Sequence, residues 1–375
     1  MSLLFDPVDL GPLHLNNRLA VAPMTRVSAT AQGLVTARMA DYYGEFAAGG
    51  FGLVITEGVY TDQAYAQGYC YQPGLADDGQ REAWRPVVQR VHASAGRIVA
   101  QLMHAGAISQ GNPHRPEPKG PSALQPRGQQ MNFYRGEGAY RQPGALSLAE
   151  IDAVVEGFAS AALRAKQAGF DGVEIHGANG YLLDQFLTDY TNHRDDAYGG
   201  SLARRLRLGV ETIEAVRRAV GPDFAVGYRV SQGKVNDFTH KWSGGEADAA
   251  LIFETLSAAP LDFLHTTEFE AWQPAFGASP SLAALARRHG KLPVIANGAL
   301  HAPADAAAMI ERGEANLVAL GRGALTHADW PNRVRAGRVL HAFDRGLLAP
   351  IADLANADRL RGLRDAPACH AQLRT

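Results

Sequence analysis

Short apolar runs alternate with longer amphipathic segments along nearly the whole chain, and there are eight of each. Regular alternation of strands and helices predicts a parallel sheet, and eight units predict an α/β fold closed into a single-domain (β/α)8 barrel, or TIM barrel. A doubly wound open sheet is the alternative, although no GxGxxG motif follows an early strand. The predicted strands cover residues 18–23, 51–58, 97–106, the start of 171–200, 224–230, 261–267, 292–298 and 316–322. The predicted helices cover residues 36–49, 80–94, 147–168, 201–220, 246–258, 279–289, 303–312 and 327–337.

A Pro-rich segment at residues 107–146 interrupts this alternation after the third strand. It is too long for a plain connection, and the strand–helix pattern resumes unchanged after it. We therefore interpret it as an active-site lid rather than a domain linker. The barrel should occupy residues 1–340, and residues 341–375 are predicted to form a helical tail packed on the barrel.

The composition excludes several classes of protein. Hydrophobic residues make up 46% and charged residues 20% of the 375 positions, as in ordinary globular proteins. The net charge of −2, from 36 basic and 38 acidic residues, offers no electrostatic basis for binding nucleic acid or an anionic membrane. No apolar run reaches transmembrane length and the N-terminal residues lack a signal-peptide pattern, so a cytoplasmic location is expected.

The cysteine count limits the possible redox chemistry. Two cysteines, Cys70 and Cys369, are too few for a disulfide framework, a Cys-rich zinc site or a four-cysteine iron–sulfur cluster. No HExxH or comparable spacing marks a metal site. Any redox reaction therefore requires an organic cofactor.

Candidate catalytic residues are most closely spaced in the segment 171–200. It begins as a buried strand, DGVEI, and then places glycines among His176, Asn179 and Tyr181. Polar side chains in a glycine-rich turn after a strand are typical of the carboxyl-terminal rim of an α/β barrel. His176 and Asn179 can each donate a hydrogen bond to one oxygen, and Tyr181 can deliver a proton. The segment predicts a site that activates a carbonyl group; the alternative is a histidine that only fills a polar slot in the core.

Two further strand ends carry polar side chains, and each of these side chains can be interpreted in two ways. Gln101, at the end of the third strand, can donate and accept hydrogen bonds at once, which suits the edge of a pyrimidine-like ring, although a glutamine at a strand end usually binds backbone. Arg229 ends the fifth strand. A guanidinium buried in a barrel mouth needs an anionic or electron-rich partner, and an internal acidic residue and a cofactor both meet that need.

The last two strands indicate a phosphate site. The seventh ends in Asn297-Gly298 and the eighth in Gly321-Arg322-Gly323. Glycines let backbone amides approach a ligand, and an arginine can bind phosphate with two hydrogen bonds. The loops after strands seven and eight are where such barrels commonly hold phosphate. The pattern therefore favours a phosphorylated cofactor.

Nine motifs follow one another along the chain. They are APMTR at 22–26, GLVITEG at 52–58, QGYCYQPGL at 67–75, QLMHAG at 101–106, HGANGYLLDQFL from 176, NHRDDAYGGSLARR from 192, GYRVS at 227–231, IANGAL at 295–300 and ALGRGAL at 319–325. In this order they resemble the old yellow enzyme family of NADH:flavin oxidoreductases, the FMN-dependent ene-reductases. The resemblance runs from residue 3 to about residue 338, and the ordered set is far more specific than any single motif.

The resemblance implies a tightly bound, non-covalent FMN. Thr25 would hydrogen-bond flavin O4, Gln101 would meet the pyrimidine edge, and Arg229 would lie by N1 and O2 and stabilise the anionic reduced flavin. Residues at the ends of the last two strands would hold the phosphate. The flavin contacts implied are Ala22, Pro23, Met24, Thr25, Gly58, Gln101, Arg229, Asn297, Gly298, Gly321 and Arg322.

The resemblance also implies a reaction. NAD(P)H would leave a hydride on flavin N5 and depart, and an enone, enal, maleimide or nitroalkene would take its place. His176 and Asn179 would hold the substrate oxygen as in an oxyanion hole, N5 would deliver hydride to the β-carbon, and Tyr181 would protonate the α-carbon. One shared site predicts ping-pong kinetics, and the protein is expected to be a monomer or homodimer.

This sequence departs from the family pattern at two places. Thr25 replaces the cysteine of the thermophilic-like branch, and the QGY…PGL stretch favours the classical bacterial branch. Met103, which is expected to bind substrate, stands where many members have tryptophan. Tyr69 is expected to line the pocket roof, or to be an ordinary loop tyrosine. His104 could face the substrate or serve the structure, and Cys70 is interpreted as incidental.

Two other functions remain as alternatives. One is an amine- or demethylation-type flavin oxidoreductase of the same superfamily. The other is a flavin-free barrel enzyme that binds a phosphorylated ligand.

Overall fold

Eight parallel strands form a closed barrel in the computed structural model, which describes residues 3–365. Each strand pairs with the next along the chain, and β8 pairs with β1. The predicted (β/α)8 barrel is confirmed, and the open-sheet alternative is wrong. The strands β1 to β8 cover Leu19–Val21, Leu53–Tyr60, Arg97–Met103, Gly172–Asn179, Ala225–Lys234, Phe263–Thr267, Val294–Asn297 and Leu317–Leu320.

Side chains alternate between the two faces of the barrel wall, apart from register shifts between Ile55 and Gly58 and between Gly177 and Asn179. On β4, Val173 and Ile175 point outward and pack in the large core between strands and helices. Glu174 and His176 point inward, because neighbouring residues of a strand face opposite sides of the sheet. This alternation decides which residues of each apolar run can reach the barrel mouth.

A hairpin closes the amino-terminal end of the barrel. Its strands Val8–Leu10 and Leu13–Leu15 pair antiparallel, and their leucines pack with the inward residues at the beginnings of the barrel strands. Gly11 turns the hairpin with a φ of 58°, and a side chain there would collide with Asp262. The pattern of apolar residues did not predict this hairpin, because its strands are only three residues each.

The helices surround the barrel largely where the sequence predicts them. The helix α3 is the longest and has a capping box in which Ser147 and Glu150 satisfy each other's backbone N–H groups. Two short helices, α4 and α9, were not predicted, and α10 is shorter than the predicted 327–337. The helices α1 to α11 cover Ala37–Ala48, Asp78–His92, Leu148–Ala168, Leu182–Leu187, Leu202–Val220, Glu246–Ala258, Leu282–Gly290, Pro303–Glu311, Arg322–Thr326, Trp330–Arg335 and Leu354–Asp365.

The long insertion after β3 covers one side of the barrel mouth, as predicted for a lid. It contains two 3-10 turns, Gly106–Ile108 and Asn132–Tyr134, and a short parallel pair, Lys119–Gly120 with Gly144–Ala145. Its apolar side chains form a cluster with residues of the strand ends. The members are Val27, Tyr69, Met103, Ala105, Ile108, Tyr140 and Tyr181, with Met131, Tyr134, Val235 and Ile351 packed against them.

The C-terminal segment contacts α1 and the loop after β1. Arg26 donates from Nη2 to the Asp353 carbonyl at 3.0 Å, and Leu354 N–H donates to Ser28 Oγ at 2.9 Å. Arg38 pairs with Asp358 at 2.7 Å. Of the predicted helical tail, a 3-10 turn at Arg345–Leu348 and α11 are helical among the described residues. The rest of the tail, with Cys369, lies outside them.

Candidate active site

The inward polar residues gather at the carboxyl ends of the strands. Gln101, Arg229 and Asn297 come from β3, β5 and β7, and Arg322 follows β8. Two of the strands run past their predicted ends: β4 continues beyond His176 to Asn179, and β5 continues beyond Arg229 to Lys234, so Arg229 does not end its strand. His176 is therefore an inward residue of the strand itself, and only Asn179 and Tyr181 lie at its end.

Asn179 adopts a backbone conformation that few residues other than glycine tolerate. Its φ is 61°, and the neighbouring strand holds it there. The Asn179 N–H donates to Ser231 Oγ at 2.8 Å, and its carbonyl accepts from Val235 N–H at 3.0 Å. Its Oδ1 accepts a long hydrogen bond, 3.4 Å, from Arg229 Nη1. Because a guanidinium only donates, the amide nitrogen of Asn179 is turned away from Arg229 and remains a donor.

Tyr181 lies beside His176 and immediately before α4. The ring centroids of the two side chains are 4.9 Å apart. The phenol oxygens of Tyr181 and Tyr69 are 2.5 Å apart, and both tyrosines are buried. Burial raises the pKa of Tyr181 above its ordinary value, although the hydrogen bond from Tyr69 opposes this. Tyr181 is therefore a protonated phenol at neutral pH.

His176 is neutral at the mouth. Burial lowers its pKa well below the ordinary value, and the positive charge of Arg229 lowers it further. A neutral imidazole carries one N–H donor, and its other nitrogen accepts. Its buried Nδ1 has no hydrogen-bond partner among the described residues.

Arg229 is held by amides and not by a direct ion pair. Its Nη2 donates to Asn297 Oδ1 at 2.9 Å, and Asn297 donates in turn to the Ala319 carbonyl at 2.8 Å. Burial lowers the pKa of Arg229 to about 10, and Glu174 opposes this through space. The guanidinium stays charged at neutral pH, and its buried Nε has no partner among the described residues.

Gln101 lies within β3, two residues before its end. Its backbone N–H donates to Thr56 Oγ1 at 3.0 Å, and its side-chain Nε2 donates to Glu174 Oε1 at 2.8 Å. The side chain therefore binds another side chain and not the backbone. Glu174 also accepts from His265 Nδ1 at 2.7 Å.

A cavity of about 350 Å³ opens between the ends of β7 and β8. The four residues predicted to hold phosphate line it: Asn297, Gly298, Gly321 and Arg322. Gly298 has a φ of 147°, and a Cβ there would come within 2.3 Å of the Glu268 carbonyl oxygen, so only glycine fits.

The loop after β1 borders this cavity and the lid. A Cβ on Gly321 would lie 3.6 Å from Met24 Sδ, which places Met24 next to the end of β8. Ala22 N–H donates to the Leu320 carbonyl at 3.0 Å, and Pro23 follows it. Thr25 hydrogen-bonds Tyr134 of the lid.

Met103 and Gly58 meet beneath the tyrosine pair. A Cβ on Gly58 would lie 2.5 Å from Met103 Sδ, so Met103 packs directly on the Gly58 backbone. The Gly58 carbonyl accepts from Gln72 Nε2 at 2.7 Å. His104 is buried, with Nδ1 accepting from Gly106 N–H at 3.1 Å, and Cys70 is exposed.

Comparison with known proteins agrees with this architecture. A family model described as the NADH:flavin oxidoreductase / NADH oxidase family matches residues 3–341. The chain is 33% identical over 342 residues to NADH oxidase of Thermoanaerobacter brockii, covering 89% of this chain but only 51% of that longer protein. It is 32% identical over 348 residues to 12-oxophytodienoate reductase 2 of Arabidopsis thaliana, covering 91% of each.

Solved structures give the same result. The old yellow enzyme homologue from Zymomonas mobilis superposes with a TM-score of 0.85 at 34% identity, covering 95% of this chain and 98% of that one. Morphinone reductase in complex with tetrahydroNAD superposes with a TM-score of 0.81 at 34% identity, covering 92% and 93%.

The chain belongs to the old yellow enzyme family. It is an oxidoreductase that uses FMN and NAD(P)H. The alternative of a flavin-free barrel enzyme is therefore wrong.

Three observations indicate that the barrel mouth can hold FMN. The buried Arg229 Nε and His176 Nδ1 lack partners among the described residues, and such groups are costly unless a ligand satisfies them. The cavity at Gly298 and Arg322 offers close backbone approach and a positive charge, which suit a phosphate. Gln101 keeps an amide carbonyl and a second N–H for the edge of a ring.

Three residues of the site were not predicted from the sequence. Glu174 and His265 lie inward and bind each other, and Ser231 holds Asn179. The available signal was an ionisable residue within an apolar strand, in DGVEIH and DFLHTT. Within residues 3–365, no group of three or more His, Cys, Asp or Glu side chains is arranged to hold a metal, and no helix is long and apolar enough to cross a membrane.

Proposed function

We propose that this old yellow enzyme is an NAD(P)H-dependent ene-reductase. Its substrates would be alkenes activated by a conjugated carbonyl or nitro group. The observation that carries the proposal is the convergence of two hydrogen-bond donors, His176 and Asn179, with a protonated phenol, Tyr181, at one barrel mouth. Two similar proteins are named as reductases of 12-oxophytodienoate and morphinone, and the first of these names denotes a ketone with carbon–carbon double bonds.

The residues that would hold FMN surround the mouth. Arg229 and Gln101 would bind the pyrimidine edge of the ring, and Gly58 with the loop 22–25 would lie against the ring. Asn297, Gly298, Gly321 and Arg322 would hold the phosphate in the cavity between the ends of β7 and β8. When bound, FMN supplies a hydride that it has taken from NAD(P)H.

His176 and Asn179 would bind the substrate oxygen. Asn179 turns its amide nitrogen away from Arg229, and neutral His176 has a single N–H to donate. Two fixed donors in a buried site stabilise negative charge that develops on the oxygen as the β-carbon receives hydride. The rigid backbone at Asn179 keeps its donor in place without reorganisation.

Tyr181 would protonate the α-carbon from its Oη. Its raised pKa keeps the proton on the phenol until carbanion character develops at the α-carbon. Tyr69 can then donate to the Tyr181 oxygen, since the two oxygens are 2.5 Å apart. Tyr134 and Tyr140 of the lid pack around this pair and limit the access of water.

Half-reaction kinetics with 2-cyclohexenone test the proposal. The FMN-loaded protein is mixed with NADH or NADPH, and the reduced protein is then mixed with the enone, while the flavin absorbance is followed. We expect reoxidation by the enone, and parallel lines in steady-state double-reciprocal plots, because both substrates share one site. A reduced protein that is reoxidised by dioxygen but not by cyclohexenone, maleimide or a nitroalkene would contradict the proposal and favour a demethylating or amine-oxidising reaction.

A further inference from the structure

A buried carboxylate lies beneath the mouth and takes no part in the proposed reaction. Glu174 is on β4, two residues before His176, and has no solvent exposure. Gln101 Nε2 and His265 Nδ1 donate to its two oxygens at 2.8 and 2.7 Å. A buried carboxylate is costly, so its retention within an apolar strand requires a reason.

The first consequence of Glu174 is the orientation of the Gln101 amide. An ionised carboxylate only accepts hydrogen bonds, so Gln101 must turn its NH2 group toward Glu174 and its carbonyl oxygen away. The Gln101 backbone is itself fixed by its hydrogen bond to Thr56. The positions of the amide carbonyl and of the second N–H are then fixed, and the amide can present both groups to a partner at the mouth.

The second consequence is electrostatic. Burial raises the pKa of Glu174, but His265, Arg229 and Gln101 outweigh this and hold the pKa below its ordinary value. Burial and Arg229 lower the pKa of His265, although Glu174 opposes them. The negative charge therefore belongs to Glu174 and the balancing positive charge to Arg229, while His265 is a neutral donor.

We propose that Glu174 is a positioning residue that orients Gln101 toward the flavin and offsets part of the charge of Arg229, and so lowers the reduction potential of the bound FMN. The inference rests on the proposed placement of Gln101 and Arg229 at the flavin ring. Positive charge beside the ring favours its electron-rich reduced form. Glu174 opposes that effect from within the barrel, where weak screening makes its charge effective.

The test is the reduction potential of the FMN-loaded Glu174→Gln protein, measured by equilibration with a dye of known potential. The substitution removes the charge and keeps the shape. We expect the reduced-to-oxidised ratio at a given potential to rise about tenfold, which is an upward shift of ~30 mV for a two-electron couple. A wild-type potential in Glu174→Gln would overturn the inference.

Two further variants separate charge from orientation. Glu174→Asp keeps the charge but draws the carboxylate back from Gln101, so FMN should dissociate about tenfold more readily while the reduced-to-oxidised ratio stays within about twofold of wild type. FMN affinity is read from the recovery of free-flavin fluorescence. Unchanged affinity would overturn the orienting role, which this variant tests even if Glu174→Gln does not fold.

Asp262→Asn is the matched control. Asp262 is a partly buried carboxylate at the opposite end of the barrel, bound to Arg217 Nη2 at 2.6 Å and to Val226 N–H at 2.8 Å. Its loss should leave the flavin potential unchanged, and a shift equal to that of Glu174→Gln would overturn the inference. Failure of the proposed function is distinguishable, because a wild-type protein that binds FMN but reduces no activated alkene leaves these potentials measurable.

Discussion

The two halves of the barrel interior differ in chemistry although the same strands build both. Toward the amino ends of the strands the inward residues are apolar, and the N-terminal hairpin seals them; we call this half the apolar layer. It consists of Ala20, Leu53, Ile55, Val99, Ala225, Phe263, Ile295, Leu317 and Ala319. The polar layer lies toward the carboxyl ends and consists of Gln101, Glu174, His176, Arg229, His265, Thr267 and Asn297.

The difference shows which half needs a ligand. Ile295 and Asn297 are two residues apart on one strand and face the same way, yet the first needs only packing while the second binds Arg229 and Thr267. The apolar layer is complete in itself. The polar layer is not, because buried nitrogens of His176 and Arg229 lack partners among the described residues, and each such group costs about 1–3 kcal/mol. A bound cofactor and substrate would satisfy them.

The largest effect is expected at the mouth of the polar layer. Tyr181→Phe should slow alkene reduction by reduced flavin about 10²–10⁴-fold, the usual contribution of a general acid, and leave flavin reduction by NAD(P)H nearly intact. Stopped-flow measurement of the two half-reactions checks this. Tyr228→Phe is the control, since it removes a buried phenol from the outer face of β5. Equal losses in both half-reactions would show that Tyr181 is not the proton donor.

His176→Ala should have a somewhat smaller effect. Removing one donor to a developing oxyanion typically lowers the rate about 10²–10³-fold, so reoxidation by an enone should slow to that extent. Phenol ligands, followed by flavin absorbance, should bind more weakly as well. His92→Ala, on the helix side of the opposite barrel end, should change neither quantity. Unchanged phenol affinity in His176→Ala would remove this residue from the oxygen site.

The pKa of Glu57 tests whether a buried ionisable group outside the barrel interior behaves differently from the ionisable groups of the polar layer. Burial raises its pKa to about 7, although hydrogen bonds from Arg26 N–H and Tyr43 Oη oppose this. The folded protein then keeps a proton that the unfolded chain releases near the ordinary value of 4.5. Stability should fall by about 3 kcal/mol as pH rises from below 4.5 through 7.

Urea unfolding of the wild type and Glu57→Gln at pH 5 and pH 8 measures this dependence. The variant carries no titrating group at position 57, so its stability should decline less between the two pH values than that of the wild type. An equal decline in both proteins would show that Glu57 is ionised in the folded state throughout this range.

The smallest effect is expected in the apolar layer. Ile295→Val removes one methyl group beneath the polar layer and should lower the free energy of unfolding by about 0.5–1.5 kcal/mol. Both flavin half-reactions should proceed at wild-type rates. A changed rate in either half-reaction would mean that the two layers are mechanically coupled and that the division between them fails.

The sequence by itself determined that the fold is a barrel and that its polar groups lie at the carboxyl ends of the strands. Eight apolar runs that alternate with amphipathic segments leave little choice of architecture, and glycines around Asn179, Gly298 and Gly321 mark strand ends. These signals are local, since periodicity and turn residues are properties of neighbouring positions. The local pattern at the last two strand ends indicated a phosphorylated cofactor, and only the ordered motifs indicated that it is FMN.

Only the tertiary structure decided which polar groups meet. Tyr69 and Tyr181 are 112 residues apart in the chain, and His265 and Glu174 are 91 apart, yet each pair is in direct hydrogen-bond contact. Strand register and closure of the barrel bring them together, and both depend on pairing between segments that lie far apart in the chain. The left-handed backbone of Asn179 likewise depends on Ser231 of the next strand. Protonation states depend on burial and neighbours, so they too arise only when the barrel closes.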